Sequence, residues 1–221
     1  MSPIKPTIKT EILPILIVII AIISSLYFYS YFPEQVPIHW NAAGEVDSYG
    51  SRVTGAFLFP GIIIGMYLMF LFIPYIDPKK KRYDQFRKVY HVFKTVLIFF
   101  MAVMYFIASF NALGYNIQIE LWMPIMVGTL FILLGNYMSK IKPNWFMGIR
   151  TPWTLSSEEV WNKTHRVGGK VFMLGGAMIA LTAFVPVAFR MIIFFTAIGL
   201  IVVGTVVYSY IVYRQEEKNK K

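Results

Sequence analysis

The sequence has 221 residues, of which 57% are hydrophobic and only 14% are charged. Soluble domains carry about a quarter charged residues, so this composition excludes an ordinary soluble fold. The net charge of +10 does not form one patch. The lysines and arginines border the apolar blocks, a pattern that indicates membrane topology and contact with anionic headgroups. We therefore predict no nucleic-acid binding. The sequence has no cysteine, which excludes disulfides, thiolate nucleophiles and cysteine metal sites.

Six apolar blocks follow one another along the chain, each long enough for a helix to cross about 30 Å of hydrocarbon. We predict an all-α, polytopic integral membrane protein with six transmembrane helices. We divide it into residues 1–76, two spans with their connecting loop, and residues 77–221, the remaining four spans. The predicted spans are residues 12–32, 57–76, 92–113, 121–138, 171–188 and 191–213, with Phe189-Arg190 separating the last two.

The positions of lysine and arginine predict the orientation. With the N-terminus inside, all but two of the 21 bases fall on the cytoplasmic side, the exceptions being Arg52 and Arg190. Cytoplasmic flanks retain such bases, so we predict that both termini are cytoplasmic. The first apolar run is longer than the roughly 7–15 residues of a signal-peptide core, and no cleavage site follows it. It is therefore predicted to be an uncleaved anchor.

Ionisable residues are confined to the ends of the predicted spans. Glu11, Lys94 and Arg190 lie there, where long side chains reach the membrane interface. Pumps and ion-coupled carriers need such groups in mid-membrane, so the pattern disfavours a transporter.

Small and amide residues mark expected helix contacts. Gly61 and Gly65 have the four-residue spacing that lets two backbones approach, and packing within one subunit is favoured over a dimer face. Asn111 and Asn136 are expected to hydrogen-bond across helices.

The loop after the first span is predicted to be extracytoplasmic. Pro33 and Pro37 keep the chain extended, and Asn-Ala-Ala-Gly after Trp40 predicts a turn. Two interpretations stay open: Trp40 anchors at the headgroups, or the loop meets a molecule arriving from outside. His39 has no second ligand at a useful spacing, so no metal site is predicted.

The loop between spans four and five is predicted to be cytoplasmic, and its second half is predicted to be helical. Ser156 and Glu159 have the spacing of a capping box, with Leu155 and Val160 as the hydrophobic staple. Glutamates in this first turn favour the helix dipole and need no catalytic explanation.

Further along that helix, Trp161, His165 and Gly168-Gly169 follow at helical spacing. They form a stripe that is expected to face the membrane surface or the neighbouring spans.

The first half, residues 144–153, shows no helical period. Gly148 permits an unusual backbone conformation, and Pro152 keeps Thr151 extended. Arg150 would bind a lipid phosphate, an acidic group of a partner, or the carbonyls of a helix end.

An enzyme would need a nucleophile, a base and an orienting acid. Thr151 or Ser156 with His165 and Glu159 can be nominated, but the capping role already explains two of them. We predict no enzyme, cofactor or metal. A membrane-embedded enzyme acting on lipid or peptide and a small-solute transporter stay as alternatives.

Several motifs resemble those of SdpI-like membrane proteins, the immunity proteins paired with the sporulation-delaying toxin peptide. YFPEQVPIHW at residues 31–40 resembles the P-x-x-[IV]-P-x-[HQ]-W element of that family, and GIRTPWT stands at residues 148–154. Gly135-Asn136 and Trp161 also fit. The resemblance covers nearly the whole chain.

The resemblance implies a multi-pass protein of the bacterial plasma membrane that protects its producer from a secreted peptide toxin. In some members it also implies capture of a cytoplasmic repressor. The outer residues expected to face the toxin are Pro33, Pro37, His39 and Trp40. The residues expected to serve the cytoplasmic motif or its partner are Asn136, Asn144, Trp145, Gly148, Arg150, Thr151, Pro152, Trp153, Trp161 and His165.

Overall fold

The computed structural model describes residues 4–41 and 43–220. Within them, six helices are long and apolar enough to cross a membrane, which confirms the predicted helical membrane fold. A short β-hairpin lies between the first two. The elements are α1 (Ile8–Tyr31), β1 (Gln35–Trp40), β2 (Val46–Ser51), α2 (Arg52–Ile76), α3 (Arg87–Ala112), α4 (Ile119–Met138), α5 (Pro152–Ser156), α6 (Glu158–Leu181), α7 (Val187–Gly199) and α8 (Thr205–Asn219), with 3₁₀ turns at Lys80–Phe86 and Thr182–Phe184 and a π-helical segment at Leu200–Gly204.

The predicted break between the last two spans is wrong. The break falls at Pro186, which caps α7, because proline has no N–H to continue a helix. Arg190 lies inside α7, and its Nε donates to the Val185 carbonyl at 3.1 Å. The fifth span is α6, which begins at Glu158, well before the predicted residue 171.

Contacts divide the chain into two compact units. We call one the hairpin unit, Pro6–Phe72 with Phe93–Met123, and the other the loop unit, which holds Ile73–Val92 and the chain from Pro124 onward. The hairpin unit has buried clusters around Ile63 and Phe28. The core of the loop unit lies around Ile179.

The predicted extended chain after the first span is present as an antiparallel hairpin. The register is irregular after Pro37, which has no N–H to donate to the ladder. Asn41 forms the turn, because its Oδ1 accepts from the N–H groups of Ala43 and Glu45 at 2.9 and 3.1 Å. Ala42, the second residue of the predicted turn, lies outside the described residues.

Glu11 and Lys94 do not extend separately to an interface as predicted. In the hairpin unit, Lys94 Nζ lies 2.5 and 2.6 Å from the two carboxylate oxygens of Glu11. The two side chains are only 1% and 8% exposed. Thr10 donates to the same carboxylate at 2.9 Å, and Tyr67 also donates to it. This buried ion pair, with its additional hydrogen bonds, connects α1 to α3.

Three expected helix contacts are also corrected. Nothing lies within 4 Å of a Cβ built at Gly61 or Gly65, so these glycines do not pack within the subunit. Asn136 is exposed, and Asn111 donates to the Ile117 carbonyl at 3.4 Å in the adjoining loop. Within the described residues, neither the two glycines nor the two asparagines make the predicted contact across helices.

Other glycines bring α4 and α6 together in the loop unit. A Cβ on Gly135 would lie 2.6 Å from the Gly169 carbonyl oxygen, and one on Gly176 would lie 2.6 Å from that of Gly128. Real Cβ atoms do not come so close. These positions therefore need glycine because the two backbones touch.

Candidate functional site

The loop between α4 and α6, residues 139–157, is the candidate site, and we call it the motif loop. Asn144 organises its first turn. Its Oδ1 accepts from the N–H groups of Phe146 and Met147 at 2.8 and 2.6 Å, and its Nδ2 donates to the carbonyls of Lys142 and Met147. Asn144 is completely buried, so the amide is a structural clamp.

Gly148 and His165 form the next contact. Gly148 has φ +104°, a conformation open to glycine and strained for other residues. A Cβ there would overlap His165 Nε2. The unusual backbone conformation predicted for Gly148 is therefore confirmed, and the close approach of an imidazole gives a second reason for glycine.

The hydrogen bonds of His165 determine its protonation. Its Nε2 accepts from the Ile149 N–H at 3.0 Å, so this nitrogen carries no proton. Its Nδ1 lies 2.8 Å from the Trp161 carbonyl and must donate to it. The ring is thus the neutral Nδ1–H tautomer, fully buried and joining α6 to the motif loop.

Trp161 does not lie at an interface. It is 0% exposed, its indole N–H donates to the Ile141 carbonyl at 2.9 Å, and its ring stacks on His165 at 4.0 Å. The predicted stripe on α6 therefore faces the interior of the loop unit, where Gly168 and Gly169 are also buried.

The second half of the motif contains a short helix that the sequence did not predict. Thr151 is extended, as predicted, and caps α5, with Pro152 at the first helical position. The Thr151 hydroxyl also lies 3.0 Å from that of Ser209 in α8. Trp153 packs on Tyr210 with ring centroids 5.0 Å apart. The motif loop is therefore attached to α8 as well as to α6.

The predicted cap of α6 is wrong by one residue. Ser157, not Ser156, is the N-cap, and its hydroxyl accepts from the Val160 N–H at 3.3 Å. Ser156 belongs to α5, whose helical turn occupies the position expected for the cap. Glu158 pairs with Arg82 at 2.9 Å. Glu158 and Glu159 do lie in the first turn of α6, as predicted, and each of them is in an ion pair.

The nominated catalytic group is not brought together. Both ring nitrogens of His165 are bound to backbone groups. The Ser156 hydroxyl donates to the Trp153 carbonyl at 3.0 Å, and Glu159 pairs with Lys163 at 2.6 Å. Among the described residues no three His, Asp or Glu side chains are grouped to hold a metal.

The middle of the motif loop carries large exposed side chains. Trp145 is 45% and Phe146 38% exposed, and Arg150 is exposed beside them. Arg150 Nη1 donates to the Trp145 carbonyl, so the guanidinium binds the backbone of its own loop. The other N–H donors of the guanidinium do not take part in that bond. Together these side chains form an exposed aromatic and cationic surface.

Asp77, which the sequence analysis did not single out, supports this surface from beneath. It is 1% exposed. Its carboxylate accepts from the Lys79 N–H at 2.6 Å, the Tyr83 hydroxyl at 2.8 Å and the Trp145 N–H at 2.9 Å. The connection between α2 and α3 therefore holds the motif loop in place.

The hairpin carries the second set of predicted residues. Its His39 side chain is 68% exposed, with Nδ1 2.5 Å from Asp47 Oδ1. Pro33 is exposed, while Pro37 and Trp40 are half-buried. Trp40 and Pro37 border an apolar cavity of about 40 Å³, enough for a water or a methyl group. A ligand here would meet the outer surface of the hairpin.

Comparisons with known proteins cover both regions. Residues 140–209 match the SdpI/YfhL protein family, and residues 16–64, which include the hairpin, match a domain of unknown function, DUF1648. The chain is 28% identical over 207 residues to the immunity protein SdpI of Bacillus subtilis (strain 168), covering 94% of this chain and 97% of that protein. No solved structure matches.

The family match falls on the motif loop together with the helices α6 to α8 that hold it. The similarity to the Bacillus protein extends this to nearly the full length, including the hairpin. With six helices able to cross a membrane, the chain is a multi-pass protein of the plasma membrane that is similar to SdpI over nearly its full length.

Proposed function

We propose that this chain is an immunity protein that protects the producing cell from a secreted peptide toxin. The observation that carries the proposal is the similarity to an immunity protein over 94% of the chain. It includes the hairpin and the motif loop, the two polar and aromatic surfaces between the spans.

The hairpin is the surface that meets the toxin. It follows the first span and the motif loop follows the fourth, so alternating spans place them on opposite sides of the membrane. The distribution of bases supports an orientation with both termini and the motif loop in the cytoplasm. Pro33, Pro37, His39 and Trp40 then face outward, where a secreted peptide arrives.

The orientation can be tested cleanly because the chain has no cysteine of its own. Ser48→Cys in the hairpin and Phe146→Cys in the motif loop each add one exposed thiol. In intact cells a membrane-impermeant maleimide should label only the first, and both after lysis. Labelling of Phe146→Cys before lysis would reverse the orientation.

Protection is tested by expression in a bacterial host that the sporulation-delaying peptide kills and that lacks its own immunity gene. We expect survival with this chain and death with the empty vector. His39→Ala removes an exposed imidazole and should reduce survival. Ser48→Ala, opposite it in the hairpin, is the matched control and should not. Survival equal to the empty vector refutes protection, and equal survival of both variants refutes the role of His39.

The motif loop is the surface for a cytoplasmic partner. Trp145, Phe146 and Arg150 are exposed together, and exposed aromatic and arginine side chains are typical anchors of protein interfaces. A fluorescent fusion of a repressor that such family members capture should move to the membrane when toxin is present. Trp145→Ala should prevent this without loss of protection, whereas unchanged recruitment would remove the loop from this role.

A further inference from the structure

We propose that a basic groove at the start of α3 and the end of α4 binds the phosphate of an anionic phospholipid. The groove belongs to the loop unit and has a volume of about 550 Å³. Arg87 and Lys88 line it from α3, and Lys140 and Lys142 line it from the chain that leaves α4. The groove uses the first residues of the motif loop, apart from its exposed Trp145, Phe146 and Arg150, and it does not depend on the proposed function.

The charges of the groove select an anion. Four bases converge on it, while Asp84 is its one carboxylate among the lining residues. Lys140 Nζ lies 4.9 Å from the centre of the Tyr137 ring, a cation–π contact that restrains the ammonium. Ser139 adds a hydroxyl donor, so the groove offers both charged and neutral donors to the oxygens of a phosphate.

The position of the groove selects a lipid as the source of that phosphate. α3 begins at Arg87 and α4 ends at Met138, so both ends lie on the same side of the membrane. Basic residues directly at the ends of spans stand at headgroup level, where anionic lipids are present at high local concentration. The groove also has Phe86 and Val89 in its lining, apolar groups that suit the glycerol and first acyl carbons.

The groove is not explained by internal structure. Arg82 and Lys163 make ion pairs with the acids of α6. Among the described residues no salt bridge is formed by Arg87, Lys88, Lys140 or Lys142. Four bases beside one acid repel one another, and a bound anion would relieve that repulsion.

The test measures binding of phosphatidylglycerol and phosphatidylcholine to the purified full-length chain, by native mass spectrometry and by titration in detergent. Lys140→Gln with Lys142→Gln removes two groove charges. Each base near an anionic surface contributes about fivefold, so the pair should weaken phosphatidylglycerol binding about 25-fold. The Asn144 clamp uses the backbone carbonyl of Lys142, so the turn survives the substitution.

Lys80→Gln with Lys81→Gln is the matched control, because both residues are exposed bases of the same connection outside the groove. We expect less than a twofold change with that control and no comparable binding of phosphatidylcholine. An equal loss of phosphatidylglycerol binding in both double variants would show that the lipid binds to diffuse surface charge and not to the groove. Equal binding of the two lipids would overturn the proposal.

Two competitors separate the other sources of negative charge. Inorganic phosphate should compete weakly, because it lacks the glycerol and acyl carbons. Displacement of the lipid by phosphate at similar concentration would identify a soluble phosphate site, and tighter binding of a hexaglutamate peptide would identify a protein-binding surface. Either result refutes the lipid assignment.

Discussion

Replacing Gly148 by alanine tests how the motif loop is attached to α6. The substitution forces a side chain into φ +104° and places its Cβ against His165 Nε2. The left-handed conformation costs about 1–2 kcal/mol for an L-residue. Displacing the imidazole also removes the acceptor of the Ile149 N–H, and an unsatisfied buried donor costs about 1–3 kcal/mol. We expect a total loss of about 2–5 kcal/mol in the free energy of unfolding.

The same substitution should cost less when the imidazole is absent. In a His165→Ala background the clash and the hydrogen bond no longer exist, so only the backbone strain of about 1–2 kcal/mol is left. The double variant should therefore be about 1–3 kcal/mol more stable than the sum of the two single losses predicts. The coupling has this sign because both changes remove the same contact.

Stability is measured by unfolding the purified chain in mixed micelles with increasing sodium dodecyl sulfate, monitored by tryptophan fluorescence. Trp161, one of five tryptophans, stacks on His165 and contributes to this signal. Strict additivity of the two single losses would show that Gly148 and His165 do not touch. A loss below 1 kcal/mol for Gly148→Ala would refute the left-handed conformation as well.

Three further substitutions test the contacts described above. Asp77→Asn replaces one carboxylate oxygen by an N–H donor, so one of the three buried donors that Asp77 accepts from loses its partner. We expect the free energy of unfolding to fall by about 1–3 kcal/mol, and the motif loop to be cleaved faster by a protease. Glu11→Gln leaves the Lys94 ammonium unpaired and should lower the free energy of unfolding by about 3–5 kcal/mol. The double variant Glu11→Met with Lys94→Met should recover most of this loss in the same assay. Arg150→Lys keeps the charge and can still donate to the Trp145 carbonyl, so the free energy of unfolding should be unchanged. Repressor recruitment should fall, because a bidentate contact needs the planar guanidinium. Unchanged recruitment at equal membrane levels would mean that Arg150 supplies charge alone.

The helices could be predicted from the sequence because crossing a membrane demands a long apolar run. The start of α4 and its end at Met138 follow from this rule. The prediction failed between the last two spans, where a charged side chain was given more weight than a proline. Arg190 was predicted to break the chain, but Pro186 does so, and Arg190 then satisfies a carbonyl at that break.

The site could be predicted only in part, because its important contacts join residues far apart in the chain. The conformation of Gly148 was predicted from residue type, but its contact with His165 depends on where α6 lies. Asp77 was missed because its partner Trp145 lies 68 positions away. The pairing of Glu11 with Lys94 spans 83 positions, and no local pattern reports it.

The π-helical segment at Leu200–Gly204 sets the angular position of everything after it. A π turn contains one residue more than an α turn, and one residue corresponds to about 100° of rotation around a helix axis. Were this segment to become α-helical, Ser209 would swing about a quarter-turn away from Thr151, and Glu216 away from Ser157. The π-helical segment therefore determines which face of α8 packs against the motif loop.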